Sequence, residues 1–138
     1  MNVFMDTSAF AKRYVSERNS NRVVALCDDA DNLIVSAICV PELISTLCRL
    51  VREKKLTKSV YRKLRSDALA DLADVDICQI TSSVVDTAVP LLEAHPLRSA
   101  DALHVGCAIA VQPDVFVSAD RRQLSAAKKT GLKIIDVS

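Results

Sequence analysis

Met1-Asn2-Val3-Phe4-Met5-Asp6-Thr7-Ser8 opens the chain with an apolar, β-prone run that stops at a carboxylate and two hydroxyl residues. Helix-forming sequence follows at once, over residues 9–14. If Val3 to Met5 is a central strand of a parallel sheet, Asp6 leaves its carboxyl end, where open α/β sheets form their ligand crevice. An acid or hydroxyl at that point is also an ordinary helix cap. The stretch therefore places a strand and a turn, and the meaning of Asp6 depends on what else arrives beside it.

Four more short β-rich runs, at residues 33–36, 77–80, 115–118 and 133–137, are separated by longer stretches with helical periodicity. That alternation predicts one α/β domain over residues 1–138, with a central parallel sheet of about five strands and helices on both faces, a three-layer α/β/α architecture. Right-handed crossovers from a first strand near the middle allow the order 3-2-1-4-5, which sets strands one and four side by side at the topological switch point. Helices are expected over residues 8–15 and 21–29, broken around residues 17–20. In the next one Val40, Leu43, Ile44, Leu47, Leu50 and Val51 form the apolar stripe, while Glu42, Ser45, Thr46, Arg49 and Glu53 fall on the opposite face. Pro41 suits a first turn, so Glu42 lies in the opening turn of a helix that follows a strand. The following helix should turn Val60, Leu64, Ala68 and Leu72 inward.

The composition excludes several classes. Half the residues are apolar and a quarter charged, as in ordinary globular domains, and only two glycines argue for a helix-rich chain with few tight turns. The formal charge of +1 leaves no long-range field, so any contact with a polyanion must come from a local patch. One such patch exists: residues 49–65 carry eight lysines or arginines against Glu53 alone. A basic helical hairpin of this kind can grip phosphates, although a solvated face is the commoner explanation. The five cysteines are odd in number, far apart and set among apolar residues, which predicts buried thiols in a reducing compartment. With no C-x-x-C and no histidine at zinc-ligand spacing, a zinc site is not expected. The N-terminal apolar run lacks a basic leader, and the longest apolar stretch, residues 102–111, is too short to span a bilayer. A cytoplasmic location with no membrane contact follows.

Two more acids sit where Asp6 and Glu42 sit. Leu97-Arg98-Ser99-Ala100-Asp101-Ala102-Leu103-His104 opens an apolar helix with Asp101 in its first turn, and Val115-Phe116-Val117-Ser118 runs into Ala119-Asp120-Arg121-Arg122. Asp101 shares a largely apolar face with His104, Val105 and Ala108, and a buried charge there needs a cation or water. His104 reads as packing against its own helix. Asp6, Glu42, Asp101 and Asp120 thus occupy equivalent places at one sheet edge. Carboxylates gathered so closely repel, and either take up protons or bind a hard cation such as Mg2+ or Mn2+. Such a centre can hydrolyse phosphodiesters.

Asp6-Thr7-Ser8, Glu42-Leu43, the L-R-x-x-D-A-L-H run of residues 97–104 and Ser118-Ala119-Asp120 together resemble the PIN-domain ribonucleases, specifically the VapC-type toxins of type II toxin-antitoxin pairs. The likeness covers essentially the whole chain. The resemblance implies an acidic quartet of Asp6, Glu42, Asp101 and Asp120, with Asp6 and Asp101 as direct Mg2+ ligands, Mn2+ being able to substitute. It implies an endoribonuclease in which water attacks an RNA phosphodiester in line, leaving a 3′-hydroxyl and a 5′-phosphate, with Arg98, Arg121 and the basic hairpin as backbone contacts. It further implies a homodimer and a small antitoxin whose bound segment blocks the pocket. The family often carries threonine two residues before its last acid; Ser118 keeps the hydroxyl. A phosphoacceptor receiver domain fits poorly, since Asp6 has no acidic neighbour and the third strand ends at Thr81-Ser82. A haloacid-dehalogenase-like phosphatase needs a second aspartate where Ser8 stands. A catalytically idle scaffold of the same fold that binds RNA or protein is the non-enzymatic alternative.

Overall fold

The computed structural model describes residues 1–138 and contains five strands and seven α-helices. The strands are β1 (Asn2–Met5), β2 (Asn32–Ser36), β3 (Asp76–Cys78), β4 (Val115–Ser118) and β5 (Ile134–Asp136), in the spatial order β3-β2-β1-β4-β5, every neighbouring pair being parallel. This is the order expected from right-handed crossovers starting at a central strand. β1 therefore has a partner on each side, and Phe4 is paired with Ile34 and with Phe116.

Alternation along β1 divides the core in two. Val3 and Met5 face one side, where they pack with Ala9 and Phe10 of α1 (Thr7–Phe10), Val23 of α2 (Ser20–Asp29), Cys39 and Leu43 of α3 (Cys39–Arg52), and Ala68 and Leu72 of α4 (Lys58–Ala73). Phe4 faces the other, against Val84 and Ala88 of α5 (Ser82–Ala94), Ala102 and Val105 of α6 (Ser99–Val111), and Leu124 and Ala127 of α7 (Arg121–Lys129). Because side chains alternate with period two in a strand, one residue of offset would exchange the two cores. The stacked Phe4 and Phe116 rings, 5.7 Å apart across β1 and β4, fix that register.

Three of the four strand-to-helix turns are closed by a short polar side chain at the helix N-cap, the exception being the start of α3 at Ile38. Asp6 caps α1, Thr81 caps α5 and Asp120 caps α7, each accepting from a backbone N–H of the first turn. The helix expected over residues 8–15 is instead a single α turn followed by a 3-10 turn at Ala11–Arg13. The chain bends there because its side chains are tied elsewhere: Lys12 Nζ donates to the Arg18 carbonyl at 2.8 Å, and the Tyr14 hydroxyl donates to Asp71 on α4 at 2.7 Å. The inward stripe on α4 also needs correction. Ala68 and Leu72 are buried and Leu64 is half-buried, but Val60, in the first turn of α4, is 44% exposed. All five cysteines are free thiols, two of them buried. No helix is long and apolar enough to cross a membrane.

The closest helix approach on the second face passes over Gly106. A Cβ there would stand 3.2 Å from the Val84 carbonyl oxygen and 3.5 Å from Val84 Cγ1. Gly106→Ala should be near neutral, with roughly 1 kcal/mol of helix propensity offset by that tight approach. Gly106→Val should cost about 1–3 kcal/mol by forcing α5 and α6 apart. Urea midpoints of the two variants check this, and equal midpoints would mean that the helices separate freely.

Candidate active site

Asp6 lies just beyond β1 at the carboxyl edge of the sheet and is 1% exposed. Its Oδ1 accepts from the Ala9 N–H at 3.0 Å, as the cap of α1. The Ser8 hydroxyl reaches both carboxylate oxygens at 2.8 Å, and the Ser118 hydroxyl at the end of β4 donates to Oδ2 at 2.9 Å. No lysine or arginine is paired with it. Burial pushes the Asp6 pKa above the ordinary carboxylate range, against the opposing pull of His104 and of the bonds from Ser8, Ala9 and Ser118.

Thr7, the next residue, turns toward α3. Its hydroxyl donates to Glu42 Oε1 at 2.7 Å, and His104 Nε2, one turn after Asp101 on α6, meets the same oxygen at 2.5 Å. Half-burial works to raise the Glu42 pKa, but the bonds from His104 and Thr7 and the fields of His104 and Arg98 outweigh it and leave it lowered. Both bonds fall on Oε1, so Oε2 is held in place without being occupied. The His104 ring is buried, and its Nδ1 has no partner. The ring therefore serves the site through Nε2 alone.

Asp101 is 4% exposed in the first turn of α6. Its Oδ2 accepts from the Arg98 backbone N–H at 3.1 Å and lies 3.5 Å from Arg98 Nε, while Oδ1 accepts from Gln123 Nε2 on α7 at 3.0 Å. The second amide atom of Gln123, Oε1, is buried without a partner. Asp120 is half-buried and caps α7 through Oδ1 and the Arg122 N–H at 2.9 Å; its own N–H donates to Ser118 Oγ at 2.9 Å. Arg98 and Arg121 are exposed at the starts of α6 and α7.

Three separate hydrogen-bonded groups hold the four acids, one with Asp6 and Asp120, one with Asp101 and one with Glu42. Ser118 bridges Asp6 to the Asp120 backbone, Gln123 ties the helix that Asp120 caps to Asp101, and Thr7 and His104 hold Glu42. No three acidic, histidine or cysteine side chains close into a ready-made metal cage. Each carboxylate is instead bonded to its nearest donors. The donor set still has a clear preference. It offers hard carboxylate and hydroxyl oxygens, which suit a cation that keeps several waters and takes one or two carboxylates. The nearby sulfur, Cys39, is no soft ligand: burial, opposed by a bond from Thr7 and reinforced by Asp6 and Glu42, pushes its pKa up to about 12. Mg2+ or Mn2+ fits these residues.

The sequence pattern of the PIN domain family matches residues 3–129. The chain belongs to the PIN-domain family. Among curated proteins this PIN domain is 33% identical over 134 residues to Ribonuclease VapC45 of Mycobacterium tuberculosis (strain CDC 1551 / Oshkosh), covering 96% of this chain and 93% of that protein. The figures are the same for Ribonuclease VapC49 of strain ATCC 25618 / H37Rv. Among solved structures it superposes on DNA-bound VapBC from Salmonella typhimurium with a TM-score of 0.72 at 13% identity, over 100% of this chain and 99% of that one. The corresponding values for FitAcB from Neisseria gonorrhoeae are 0.71 and 16%, over 97% and 96%. At those identities the likeness is one of fold.

Of the residues singled out from sequence, Asp6 is hydrogen-bonded through Ser118 to the backbone of Asp120, Asp101 to Arg98 and Gln123, and Glu42 to Thr7 and His104. Sequence reasoning took His104 for a packing residue and passed over Gln123. The i, i+3 spacing of Asp101 and His104 was a usable signal, because it puts both on one helix face. Gln123 gave none: its partner is 22 residues away on another helix.

Proposed function

We propose that this PIN domain is a Mg2+-dependent endoribonuclease and the toxin of a VapBC-type pair. The observation that carries the proposal is Asp6: a carboxylate 1% exposed, unpaired with any lysine or arginine, and linked through the Ser118 hydroxyl to the backbone of Asp120. The names of its relatives as VapC ribonucleases support the RNA substrate. The likeness to VapBC and toxin-antitoxin complexes supports an antitoxin partner, and a homodimer is the expected assembly.

Asp6 and Asp101 would hold the cation. When bound, Mg2+ supplies positive charge that neutralises the RNA phosphate and makes water a stronger nucleophile. Ser8 and Ser118 keep both Asp6 oxygens fixed, and Gln123 and the Arg98 N–H do the same for Asp101. Thr7 and His104 hold Glu42 by Oε1, so its Oε2 accepts the proton of the attacking water. Water adds to phosphorus opposite the 3′-oxygen, which leaves and is protonated from solvent, giving a 3′-hydroxyl and a 5′-phosphate. Arg98 and Arg121 steady the phosphates on either side.

Sequencing the RNA ends formed after brief expression of the wild type and of Asp6→Asn tests the proposal. New 5′-phosphate ends should appear with the wild type alone, and identical end profiles would favour a scaffold that binds without cutting. The role of His104 has its own test. His104→Gln keeps a nitrogen donor near the Nε2 position and should retain most of kcat, whereas His104→Leu should lower kcat on the order of tenfold to a hundredfold with KM little changed, because Glu42 is no longer aimed. Equal kcat in the two variants would show that the ring only fills space.

A further inference from the structure

From Glu42 a cleft of about 410 Å³ opens away from Asp6 and Asp101, neither of which lines it. Its lining includes Thr7, Lys12 and Glu17 from the segment after β1 and Glu42, Ser45, Thr46 and Arg49 from α3. Glu42, Ser45, Thr46 and Arg49 are spaced i, i+3, i+4 and i+7, so they form one polar stripe on the helix. The stripe rises about 10 Å from Glu42 to Arg49.

Lys12 is the unusual member. Its side chain is 6% exposed, and lysine is almost never buried so far unless firmly paired. Its carboxylate partner, Glu17, is 3.4 Å away and 54% exposed. The other bond goes to the Arg18 carbonyl at 2.8 Å, leaving one of three ammonium donors unused. At the outer end, Arg49 rests on Glu53 at 3.1 Å, both largely exposed. Pairs of that kind contribute little and yield to a stronger anion.

We propose that this cleft binds one nucleotide of single-stranded RNA next to the scissile phosphate, with the flanking phosphate held between Lys12 and Arg49. The inference rests on the ribonuclease reading and adds the path of the substrate. The volume lies within the range of about 300–1,000 Å³ that encloses small ligands, which suits one splayed nucleotide rather than a duplex. No aromatic side chain lines the cleft, so binding there comes from the two cations on the phosphate and the hydroxyls of Ser45 and Thr46 rather than from base stacking. A strand whose reacting phosphate sits at the acids has this polar trough, with Lys12 and Arg49 in its lining, as its continuation.

Fluorescence anisotropy with a labelled RNA hexamer of mixed sequence, in Ca2+ in place of Mg2+ and across a salt series, tests the assignment. Removing one cation that neutralises a phosphate of a single strand flattens the salt slope by about 0.7. Lys12→Gln and Arg49→Gln should each do so, while Lys128→Gln, exposed at the end of α7, should not. Thr46→Phe, which fills the cleft without changing charge, should weaken binding at least about tenfold while keeping the wild-type circular dichroism. Since Lys12 is buried, the exposed Arg49 and the half-buried Thr46 variants decide the matter if Lys12→Gln fails to fold. Wild-type affinity and slope in both would overturn the cleft assignment and leave the ribonuclease reading standing. A wild-type protein that does not bind the hexamer would overturn both.

Discussion

Asp6→Asn is expected to abolish RNA cleavage and, in the metal-free protein, to raise the melting temperature. The loss of activity follows from removing one charge from a centre whose work is electrostatic; a fall of at least about a hundredfold to a thousandfold in kcat is the scale for such a group. The gain in stability follows from burial. A carboxylate shut away from water without a cation is costly, and an amide of the same shape is much less so. The neighbouring hydroxyls can accommodate the change. Ser8 can still donate to the amide oxygen, and Ser118 can turn to accept from the new N–H, since it has Ser8 Oγ at 3.3 Å as an alternative partner.

The pH dependence carries the same sign. The Asp6 pKa is raised in the folded state, so between the unfolded and folded values the native protein binds more protons than the unfolded chain. The Asp6 contribution to stability is therefore most favourable below the unfolded value and declines as pH rises through the folded one. Melting curves of wild type and Asp6→Asn in chelator should converge as pH is lowered, with the variant ahead at neutral pH. Added Mg2+ should then raise the melting temperature of the wild type and leave the variant nearly unmoved. A variant that melts lower at neutral pH in chelator would mean that hydrogen bonds already compensate the charge, and that Asp6 has no need of a cation.

Asp101 gives the second large effect, and there two substitutions separate chemistry from folding. Asp101→Asn should abolish cleavage while leaving stability close to that of the wild type. The amide oxygen can still accept from the Arg98 N–H, and Gln123 can turn its side chain so that the unpartnered Oε1 accepts from the new N–H. Asp101→Ala should also abolish cleavage but cost about 1–3 kcal/mol, because the Arg98 N–H and Gln123 Nε2 both lose their acceptor in a buried place. Chemical denaturation of the pair, alongside single-turnover cleavage, measures both. Equal destabilisation by Asn and Ala would mean that Gln123 is held rigidly and cannot turn.

The sequence made the frame legible because the frame depends on periodicity. Val3 and Phe4 alternate in a run too short to be a helix, and Leu43 and Leu47 repeat at helical spacing; each pattern has one physical reading. The acids were legible for a different reason. Asp6 and Asp120 each end a strand, so placing the strands placed the carboxylates. What holds the acids was hidden, because Gln123 meets Asp101 and Thr7 meets Glu42 only through the packing of α1, α3, α6 and α7 against one another. The exposed start of α4 was misread for a related reason: a stripe containing Val60 says which residues share a face, and not whether that face is covered along its whole length.

β1 forms in the middle of the sheet, yet one of its two neighbours, β4, comes only at Val115–Ser118, near the far end of the chain. Asp6 is the earliest of the acids to leave the ribosome, and it waits for Ser118 before its second oxygen is secured. A nascent chain therefore cannot fix both Asp6 oxygens until residue 118 has been made and β4 has docked beside β1.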